Sequence, residues 1–225
     1  MFMFLFFICL NLNPYKNIFT SVNCWKGSNH MSNNTVPYVF CPVCAERLQK
    51  SIIDNHLRSS CPNCSYVDWG NFSLGVGGVL WHEEKVLLVQ RAHNPGKGVW
   101  TIPGGYVNQG ESIGEAIVRE IQEETGIETK PLSIIALRDR PSNSPSEKHD
   151  VYIIFMMTML GGTLHAQLEE VSNLGFFTLE ECQTFKIPSL TLSAIQASHS
   201  ISRGLVLNTN ADLIGRLSTL YQISS

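Results

Sequence analysis

The sequence has little charge, no long apolar run and too few cysteines for a disulfide-dense scaffold. Charged residues make up 16% of the 225 positions, and 16 basic against 19 acidic residues leave a formal charge of -3. A typical soluble domain has roughly 25% charged residues. The lack of a basic excess argues against a non-specific nucleic-acid binder, so no nucleic-acid partner is expected. No apolar stretch reaches about 18 residues, which argues against a membrane-spanning helix. Seven cysteines do not make a disulfide-dense scaffold, so the composition predicts a soluble globular protein.

The first thirty residues differ from the rest of the chain. Residues 1–10 (MFMFLFFICL) are almost wholly apolar, yet no basic residue precedes them and no small-residue cleavage site follows. Residues 11–30 are rich in asparagine and show no periodicity. We favour a misassigned upstream start, with Met31 as the true initiator. The first alternative is an export signal or membrane anchor, and the second is a folded element. Residues 1–35 are therefore treated as an N-terminal extension. A cytoplasmic protein without a membrane partner is expected unless residues 1–30 are translated.

Two C-x-x-C pairs come next in the chain. Cys41 and Cys44 form the first pair, and Cys61 and Cys64 form the second. Two thiolates on each of two tight turns have the spacing of a tetrahedral Zn²⁺ site. A segment of about 35 residues has too little core to hold itself together, so a metal would supply the missing stability. Redox-active or disulfide pairs are the less favoured alternative. The spacing thus predicts a zinc ribbon over residues 36–70.

The remainder alternates apolar strand-like runs with helical periodicity. Strands are expected over residues 74–81, 85–91, 100–102, 132–138, 151–160 and 175–177. Helices are expected over residues 112–125, directly after Thr178, and over residues 190–198 and 211–222. Gly126 is a stop signal for the first helix. The mixed order predicts an α/β or α+β sandwich over residues 71–187, followed by a C-terminal helical segment over residues 188–225.

The first helix becomes acidic on its own apolar face. At about 100° per residue, one stripe is formed by Ile113, Ala116, Ile117 and Ile121. Three carboxylates lie in the same arc, one to two turns further on: Glu120, Glu123 and Glu124. Carboxylates three and four residues apart repel each other, and more strongly when they are partly buried. A divalent cation removes this conflict, and oxygen ligands suit Mg²⁺ or Mn²⁺. The alternative is a solvated, glutamate-rich helix end.

The residues around this helix form a longer pattern. Gly105 is followed after five residues by Glu111. After seven more residues comes the block Arg119-Glu120-Ile121-x-Glu123-Glu124-x-Gly126-Ile127. This segment resembles the signature of the Nudix hydrolases, G-x5-E-x7-R-E-U-x-E-E-x-G-U, in which U is an apolar residue. Every specified position of the signature is matched. So many fixed positions make this match far more specific than a lone G-x-G-x-x-G. The zinc ribbon resembles those of NADH pyrophosphatases and of related Nudix enzymes that act on flavin or ADP-ribose-type nucleotides.

The resemblance implies a Nudix α/β/α sandwich with a mixed sheet and a loop–helix–loop catalytic motif, preceded by a small zinc ribbon. The implied activity is metal-dependent hydrolysis of the pyrophosphate bond of a nucleoside diphosphate linked to another moiety, by attack of water on phosphorus. The implied ligands of Mg²⁺ or Mn²⁺ are Glu120, Glu123, Glu124 and a backbone carbonyl of Gly104 or Gly105. Arg119 would orient the carboxylates, and Glu111 would brace the loop or meet the metal through water.

Residues outside the signature complete the expected site. In this family the general base is a carboxylate of the signature or of a distant loop, and Glu170 is the favoured extra metal ligand or base. A surface glutamate is the alternative for Glu170. Weaker candidates for the base are Glu147, His149 and Asp150. Arg91, at the end of a strand, is expected to meet a substrate phosphate or to form a surface ion pair.

The substrate is less well defined by the sequence. Residues 138–145 do not match the Ser-Gln-Pro-Trp-Pro-Phe-Pro segment of NADH pyrophosphatases. Pro141 or Pro145 is in place for the proline associated with ADP-ribose-type hydrolases. We rank ADP-ribose or a related dinucleotide first, with FAD, NAD(H) and nucleoside triphosphates open. The alternative function is a catalytically weak ligand sensor or interaction module that uses the zinc ribbon, and a homodimer stays open.

Overall fold

A computed structural model describes residues 38–142, 148–199, 204–208 and 220–223 of the chain. The chain divides into two units, Met1–His30 and Met31–Ser225, and all of the described residues belong to the second. In this described part, no helix is long and apolar enough to cross a membrane.

The cysteine-containing segment forms a small antiparallel sheet of three strands, in the order β1 (Gln49–Ile53), β2 (His56–Ser60) and β3 (Val67–Asp68). Asp54 and Asn55 join β1 to β2 and both have positive φ angles, of 50° and 62°. A two-residue turn with two positive φ angles matches the twist of a hairpin, and Asp and Asn tolerate that conformation. The hairpin therefore follows from local sequence.

A nine-stranded mixed sheet forms the centre of the larger part of the chain. Its strands are β4 (Phe72–His82), β5 (Lys85–Arg91), β6 (Trp100–Thr101), β7 (Gly104–Tyr106), β8 (Ile127–Arg140), β9 (His149–Gly162), β10 (Val171–Phe177), β11 (Leu205–Asn208) and β12 (Leu220–Ile223). The order is β10-β5-β4-β9-β8-β11-β12, with β6 beside β5 and β7 beside β4. Within the described strands, β4 and β9 are the one parallel pair. The predicted mixed sheet is confirmed.

Three helices cover the two faces of this sheet: α1 (Ile113–Thr125), α2 (Leu179–Thr184) and α3 (Ser189–Ser198). The core on one face joins Ile117 and Ile121 of α1 to Val76 and Phe155 of the sheet. The core on the other face joins the sheet to residues of the α2 and α3 segment, including Cys182 and Ile195. Both faces are thus buried by helices, which confirms the predicted α/β/α sandwich.

The C-terminal end differs from the helical segment predicted over residues 188–225. Helix α3 agrees with the prediction, but Leu220–Ile223 is a strand, so the helix predicted over residues 211–222 is wrong at its end. Residues 211–219 of that prediction lie outside the described residues. β12 pairs with β11, and Leu205 of β11 pairs with Ile134 of β8. The free edge of β8 offers backbone partners that a helical periodicity cannot reveal, and this tertiary pairing overrides the local pattern.

Candidate active site

Helix α1 is fixed at both ends by local sequence. Ser112 caps the N-terminus by accepting from the Glu115 amide, and the Glu115 carboxylate accepts from the Ser112 amide in return. Gly126 ends the helix in the left-handed conformation, with φ 72°. A Cβ at Gly126 would lie 2.1 Å from Nδ1 of His165, so no larger residue fits. This capping box and glycine stop set the helix length and therefore the direction of its acidic residues.

The predicted apolar stripe of α1 is confirmed by its burial. Ala116, Ile117 and Ile121 are fully buried against the sheet, and Glu124 follows on the same side with only 8% of its surface exposed. The side chain of Glu120 is 12% exposed, whereas that of Glu123 is 52% exposed. The arc of three carboxylates is therefore split. Two of them are turned towards the protein and the third faces solvent.

Arg119 holds the acidic residues together. Its Nε and Nη2 donate to the two carboxylate oxygens of Glu111 at 3.0 and 2.7 Å. Its Nη1 donates to Glu120 at 2.9 Å and to Glu123 at 3.0 Å, and Nη2 also donates to the carbonyl oxygen of Tyr106 at 3.1 Å. The bidentate contact to Glu111 is the strong, directional form of an arginine–carboxylate pair. One guanidinium thus sets the positions of three carboxylates at once.

Glu111 also braces the loop before the helix. Its carboxylate accepts from the Asn108 amide at 2.7 Å while it holds Arg119. These contacts lower the pKa of Glu111, the Arg119 hydrogen bonds being the largest cause. Glu111 therefore stays ionised, and its contacts match the bracing role that the sequence suggested for it.

The buried carboxylate of Glu124 and the largely buried one of Glu120 resist ionisation in this structure. Burial, the largest cause, raises the pKa of Glu124 to about 8, with added increases from Glu120 and Glu170 and opposing decreases from the Gly104 amide and Arg91. Burial also raises the pKa of Glu120, with Arg119 opposing and Glu123 and Glu170 adding to the shift. A carboxylate that is costly to ionise without a partner is stabilised by a cation beside it.

Strand β7 lies directly against both buried carboxylates. The amide of Gly104 donates to Glu124 at 2.9 Å. A Cβ at Gly105 would lie 2.5–2.6 Å from the carboxylate atoms of Glu120, and a Cβ at Gly104 would lie 2.1 Å from the carbonyl oxygen of Val76. Gly104 also has φ 152°. Only glycines allow this strand to come so close to the helix and the sheet.

Glu170 and Arg91 both lie near this pair, although they come from distant parts of the chain. The amide of Ala92 donates to the Glu170 carbonyl at 2.9 Å, which places the two segments side by side. Glu170 raises the pKa of Glu120 and Glu124, and Arg91 lowers that of Glu124, so both charges act on the site. Nε of Arg91 donates to the Pro95 carbonyl at 3.1 Å.

Two of the weaker candidates for the general base, Asp150 and His149, are engaged in other side-chain contacts. Asp150 is 6% exposed, pairs with Arg138 and accepts from the Ser73 hydroxyl at 2.8 Å. His149 pairs with Asp139 and packs on a phenylalanine ring. Glu147 lies outside the described residues. The geometry therefore brings Glu170, and neither Asp150 nor His149, towards the helix carboxylates.

Sequence reasoning did not single out two residues that border the site, Tyr152 and Arg138. Tyr152 is affected electrostatically by Glu124, Glu120 and Arg91, and the guanidinium of Arg138 lies 5.4 Å from its ring centroid. Alternation along the strand predicted over residues 151–160 could have placed Tyr152 on one face. Only the parallel pairing of β4 with β9, which no local pattern encodes, brings it to the glutamates.

The donors at the two predicted metal sites differ in how closely they cluster. One Sγ atom from each of Cys41, Cys44, Cys61 and Cys64 lies within 4.8 Å of all the others. Three of the Sγ–Sγ separations are 3.4, 3.6 and 3.7 Å. Zn–S bonds of about 2.3 Å in a tetrahedron place the sulfur atoms about 3.8 Å apart, so the four thiols fit zinc.

The carboxylate site fits a hard divalent cation because its donors are oxygen atoms. Its carboxylates are not yet gathered as closely as the four thiols are. Across the described ranges, the four cysteines are the one group of three or more potential ligands within that distance. Glu120, Glu123 and Glu124 do not form such a group in this structure. Oxygen-only donors, two of them in carboxylates that are costly to ionise unaided, suit Mg²⁺ or Mn²⁺.

The fold and this loop–helix–loop define the class of the protein. The family model described as the NUDIX domain matches residues 71–196, which is more than half of the chain. The chain therefore belongs to the NUDIX family. The resemblance seen in the sequence is confirmed.

Particular relatives can also be named. The chain is 37% identical over 107 residues to the ADP-ribose pyrophosphatase of Methanocaldococcus jannaschii, covering 48% of this chain and 62% of that protein. It is 26% identical over 167 residues to the NAD-capped RNA hydrolase NudC of Pseudomonas aeruginosa, covering 74% of this chain and 54% of that protein. The chain thus spans between about half and three fifths of the length of these two relatives.

A solved structure supports the fold. The NUDIX hydrolase from Nitrosomonas europaea superposes with a TM-score of 0.61 at 24% identity, covering 71% of this chain and 89% of that one. Similarity at this level of identity concerns the architecture alone.

Proposed function

We propose that the chain is a divalent-metal-dependent pyrophosphohydrolase. Its substrate would be a nucleoside diphosphate linked to another moiety, with ADP-ribose or a related dinucleotide favoured. The observation that carries the proposal is the pair of buried carboxylates, Glu120 and Glu124, held by α1 against the glycines of β7. The names of the two relatives, an ADP-ribose pyrophosphatase and an NAD-capped RNA hydrolase, support this substrate class.

Different residues of the site would bind the cation, orient its ligands and bind the substrate phosphate. Glu120, Glu123 and Glu124, with a carbonyl of Gly104 or Gly105, would hold Mg²⁺ or Mn²⁺. A bound divalent cation would offset the charge of the diphosphate and favour ionisation of an attacking water. Arg119 keeps the carboxylates in place from the solvent side, and Arg91 would bind a substrate phosphate. Positioning and charge then supply most of the catalysis, since phosphoryl transfer asks little covalent chemistry of the protein.

Glu170 would take the proton from the attacking water or add a ligand to the cation. We expect Glu170→Gln to lower kcat by at least about tenfold with little change in KM, because general-base groups typically contribute that much or more. Glu169→Gln is the matched control. It alters the adjacent exposed glutamate, which is not among the charges that act on Glu120 or Glu124. Equal kinetics for the two variants would show that Glu170 is only a surface residue.

The four-cysteine segment would be a zinc ribbon in this enzyme. We propose residues 36–70 as the ribbon and residues 71–187 as the hydrolase domain, with residues 188–225 as a C-terminal extension that contains α3 and the β11–β12 hairpin. The fit of the four thiols to a tetrahedron supports the assignment of zinc.

A hydrolysis screen on the full chain tests the function. ADP-ribose, NADH, FAD and nucleoside triphosphates would be incubated with Mg²⁺ or Mn²⁺, and released mononucleotide would be measured. We expect ADP-ribose or a related dinucleotide to be cleaved well above the others. Glu123→Gln should cut this turnover by at least about a hundredfold if that carboxylate holds a catalytic cation. Glu128→Gln, which changes an exposed glutamate of β8, should leave it unchanged.

The outcome also separates the enzyme from a sensor. Binding of these compounds without any cleavage, by protein shown to be folded and zinc-loaded, would contradict hydrolysis. It would support the alternative of a ligand-binding NUDIX module. The complete set of signature residues in α1 and its flanking loops favours the enzyme.

A further inference from the structure

The side chain of Tyr152 packs over two glycines of β4, Gly75 and Gly77. The parallel pairing of β4 and β9 sets Gly75 opposite Tyr152 and Gly77 opposite Ile154. A Cβ at Gly75 would lie 2.8 Å from Cδ2 of Tyr152, and a Cβ at Gly77 would lie 2.2 Å from its hydroxyl oxygen. The ring therefore fills the space that side chains on β4 would need. Its hydroxyl projects along β4 as far as Gly77.

The hydroxyl end of Tyr152 is next to the candidate active site. Gly77 pairs directly with Gly104 of β7, and the Gly104 amide is the donor to Glu124. Among the described residues, the Tyr152 hydroxyl has no hydrogen-bond partner. A partly buried hydroxyl usually has one, so an unpartnered hydroxyl beside a catalytic carboxylate is suited to a ligand.

Arg138 lies over the same ring from the strand on the other side. β8 pairs with β9 so that Arg138 is opposite Tyr152, and its guanidinium is 5.4 Å from the ring centroid. Asp150 orients the guanidinium and is itself held by the Ser73 hydroxyl. Nε of Arg138 is buried without a hydrogen-bond partner in the described structure. One nitrogen is thus committed to Asp150, and the guanidinium keeps donor capacity for a further acceptor.

Charges of both signs act on Tyr152. Burial raises the pKa of the Tyr152 hydroxyl, Glu124 and Glu120 raise it further, and Arg138 and Arg91 lower it. The hydroxyl therefore keeps its proton near neutral pH and can donate a hydrogen bond to an anionic ligand. Carboxylates that suit a cation and arginines that suit an anion are therefore both near Tyr152. A diphosphate bridging a divalent cation and a cationic side chain matches this arrangement.

We propose that Tyr152 and Arg138 form the wall of the substrate site opposite the α1 glutamates, where the Tyr152 hydroxyl donates a hydrogen bond to the substrate's diphosphate and Arg138 offsets its charge. This inference rests on the proposed function and adds two positioning residues to it. A tyrosine that served only to pack the sheet would be replaced by phenylalanine without loss, because the ring and not the hydroxyl covers the glycines. The hydroxyl alone distinguishes the two roles.

The test is therefore Tyr152→Phe in the full, zinc-loaded chain. Binding of ADP in the presence of Mg²⁺ would be measured by calorimetry, together with KM and kcat for ADP-ribose. We expect ADP to bind about 10- to 100-fold more weakly, as for loss of a hydrogen bond to a charged group. KM should rise more than kcat falls, and the melting temperature should not change. Tyr38→Phe, which alters an exposed tyrosine of the cysteine segment, is the matched control and should behave as wild type.

A second variant tests the placement without removing the hydroxyl. Gly77→Ala puts a methyl group where the Tyr152 hydroxyl lies, and the side chain must move away. We expect Gly77→Ala to weaken ADP binding to a similar extent, and the double variant Gly77→Ala/Tyr152→Phe to be no weaker than the worse single variant. Additive losses would contradict the placement of the hydroxyl in the site.

The outcomes separate this inference from the proposed function. ADP binding by Tyr152→Phe that equals wild type would overturn the inference and leave hydrolysis intact. A wild-type protein that neither binds ADP nor cleaves any compound of the hydrolysis screen would overturn both. Weaker binding by Tyr152→Phe, with Tyr38→Phe unchanged, supports the inference, and cleavage in the hydrolysis screen supports the proposed function.

Discussion

Glu124→Gln is expected to abolish turnover and yet make the cation-free protein more stable. Turnover should fall by at least about a hundredfold, because the proposed cation loses a carboxylate ligand. Stability should rise because the Glu124 carboxyl, buried beside Glu120 and Glu170, is costly to ionise. Glutamine keeps an acceptor for the Gly104 amide and carries no charge. At about 1.4 kcal/mol per pKa unit, the gain at pH 8 is on the order of 4 kcal/mol without added Mg²⁺ or Mn²⁺.

The pH dependence of this gain has a defined sign. The pKa of Glu124 is raised from an ordinary value of 4.5 to about 8 in the folded protein, so the folded state binds this proton more tightly than the unfolded state. The free energy of unfolding should therefore decrease as pH rises from about 4.5 to 8, and this slope should be smaller in Glu124→Gln. Denaturant unfolding at several pH values in zinc-loaded, magnesium-free buffer measures it. A parallel slope in both proteins would contradict the burial argument, and Glu128→Gln controls for loss of an exposed glutamate.

Cys64→Ser is expected to remove the zinc and to unfold the cysteine segment alone. Apparent binding energies of about 10–16 kcal/mol make structural zinc the main support of a small domain. The segment has little else, since Ile52 and Leu57 on its hairpin are 71% and 66% exposed. Neither apolar core of the larger sheet includes a residue of this segment. Hydrogen exchange should therefore become fast in β1 and β2 while α1 stays protected.

Elemental analysis gives the second measurement for this prediction. We expect one zinc per chain in the wild type and well below one in Cys64→Ser. Cys182→Ala is the matched control, because Cys182 lies on the buried face of α2 and is not part of the four-cysteine cluster. That variant should keep its zinc. Disulfides between the cysteine pairs, or an unchanged zinc content in Cys64→Ser, would show that the thiols do not bind this metal.

Features encoded by short-range patterns could be predicted from the sequence. The limits of α1 follow from Ser112, Glu115 and Gly126, whose capping contacts are local. The closeness of the four thiols follows from the spacing of two C-x-x-C turns. The direction of Glu120 and Glu124 follows from helical periodicity over buried isoleucines. In each case the residues that make the contact are a few positions apart or share one motif.

Features that depend on strand pairing could not be predicted. Glu170, favoured in advance only from its place before a strand, acts on the site because β10 pairs with β5. Tyr152 and Arg138 reach the site through the order β4-β9-β8. The C-terminal hairpin depends on a free edge of β8. Packing across the whole sheet decides which strands become neighbours. The hydrophobic periodicity of a single strand does not encode this order.

The parallel pairing of β4 and β9 has a consequence for the order in which the protein folds during synthesis. Ser73 and Asp150, which these strands bring together, are 77 residues apart in the chain. Contacts of such separation form late, because the loop entropy has to be overcome first. Helix α1 and its capping box can form as soon as their own residues leave the ribosome, but the tyrosine wall opposite the glutamates has to wait until β9 has emerged. A nascent chain that stops before this point would contain the acidic helix without Tyr152, so the two halves of the site are completed in sequence and not together.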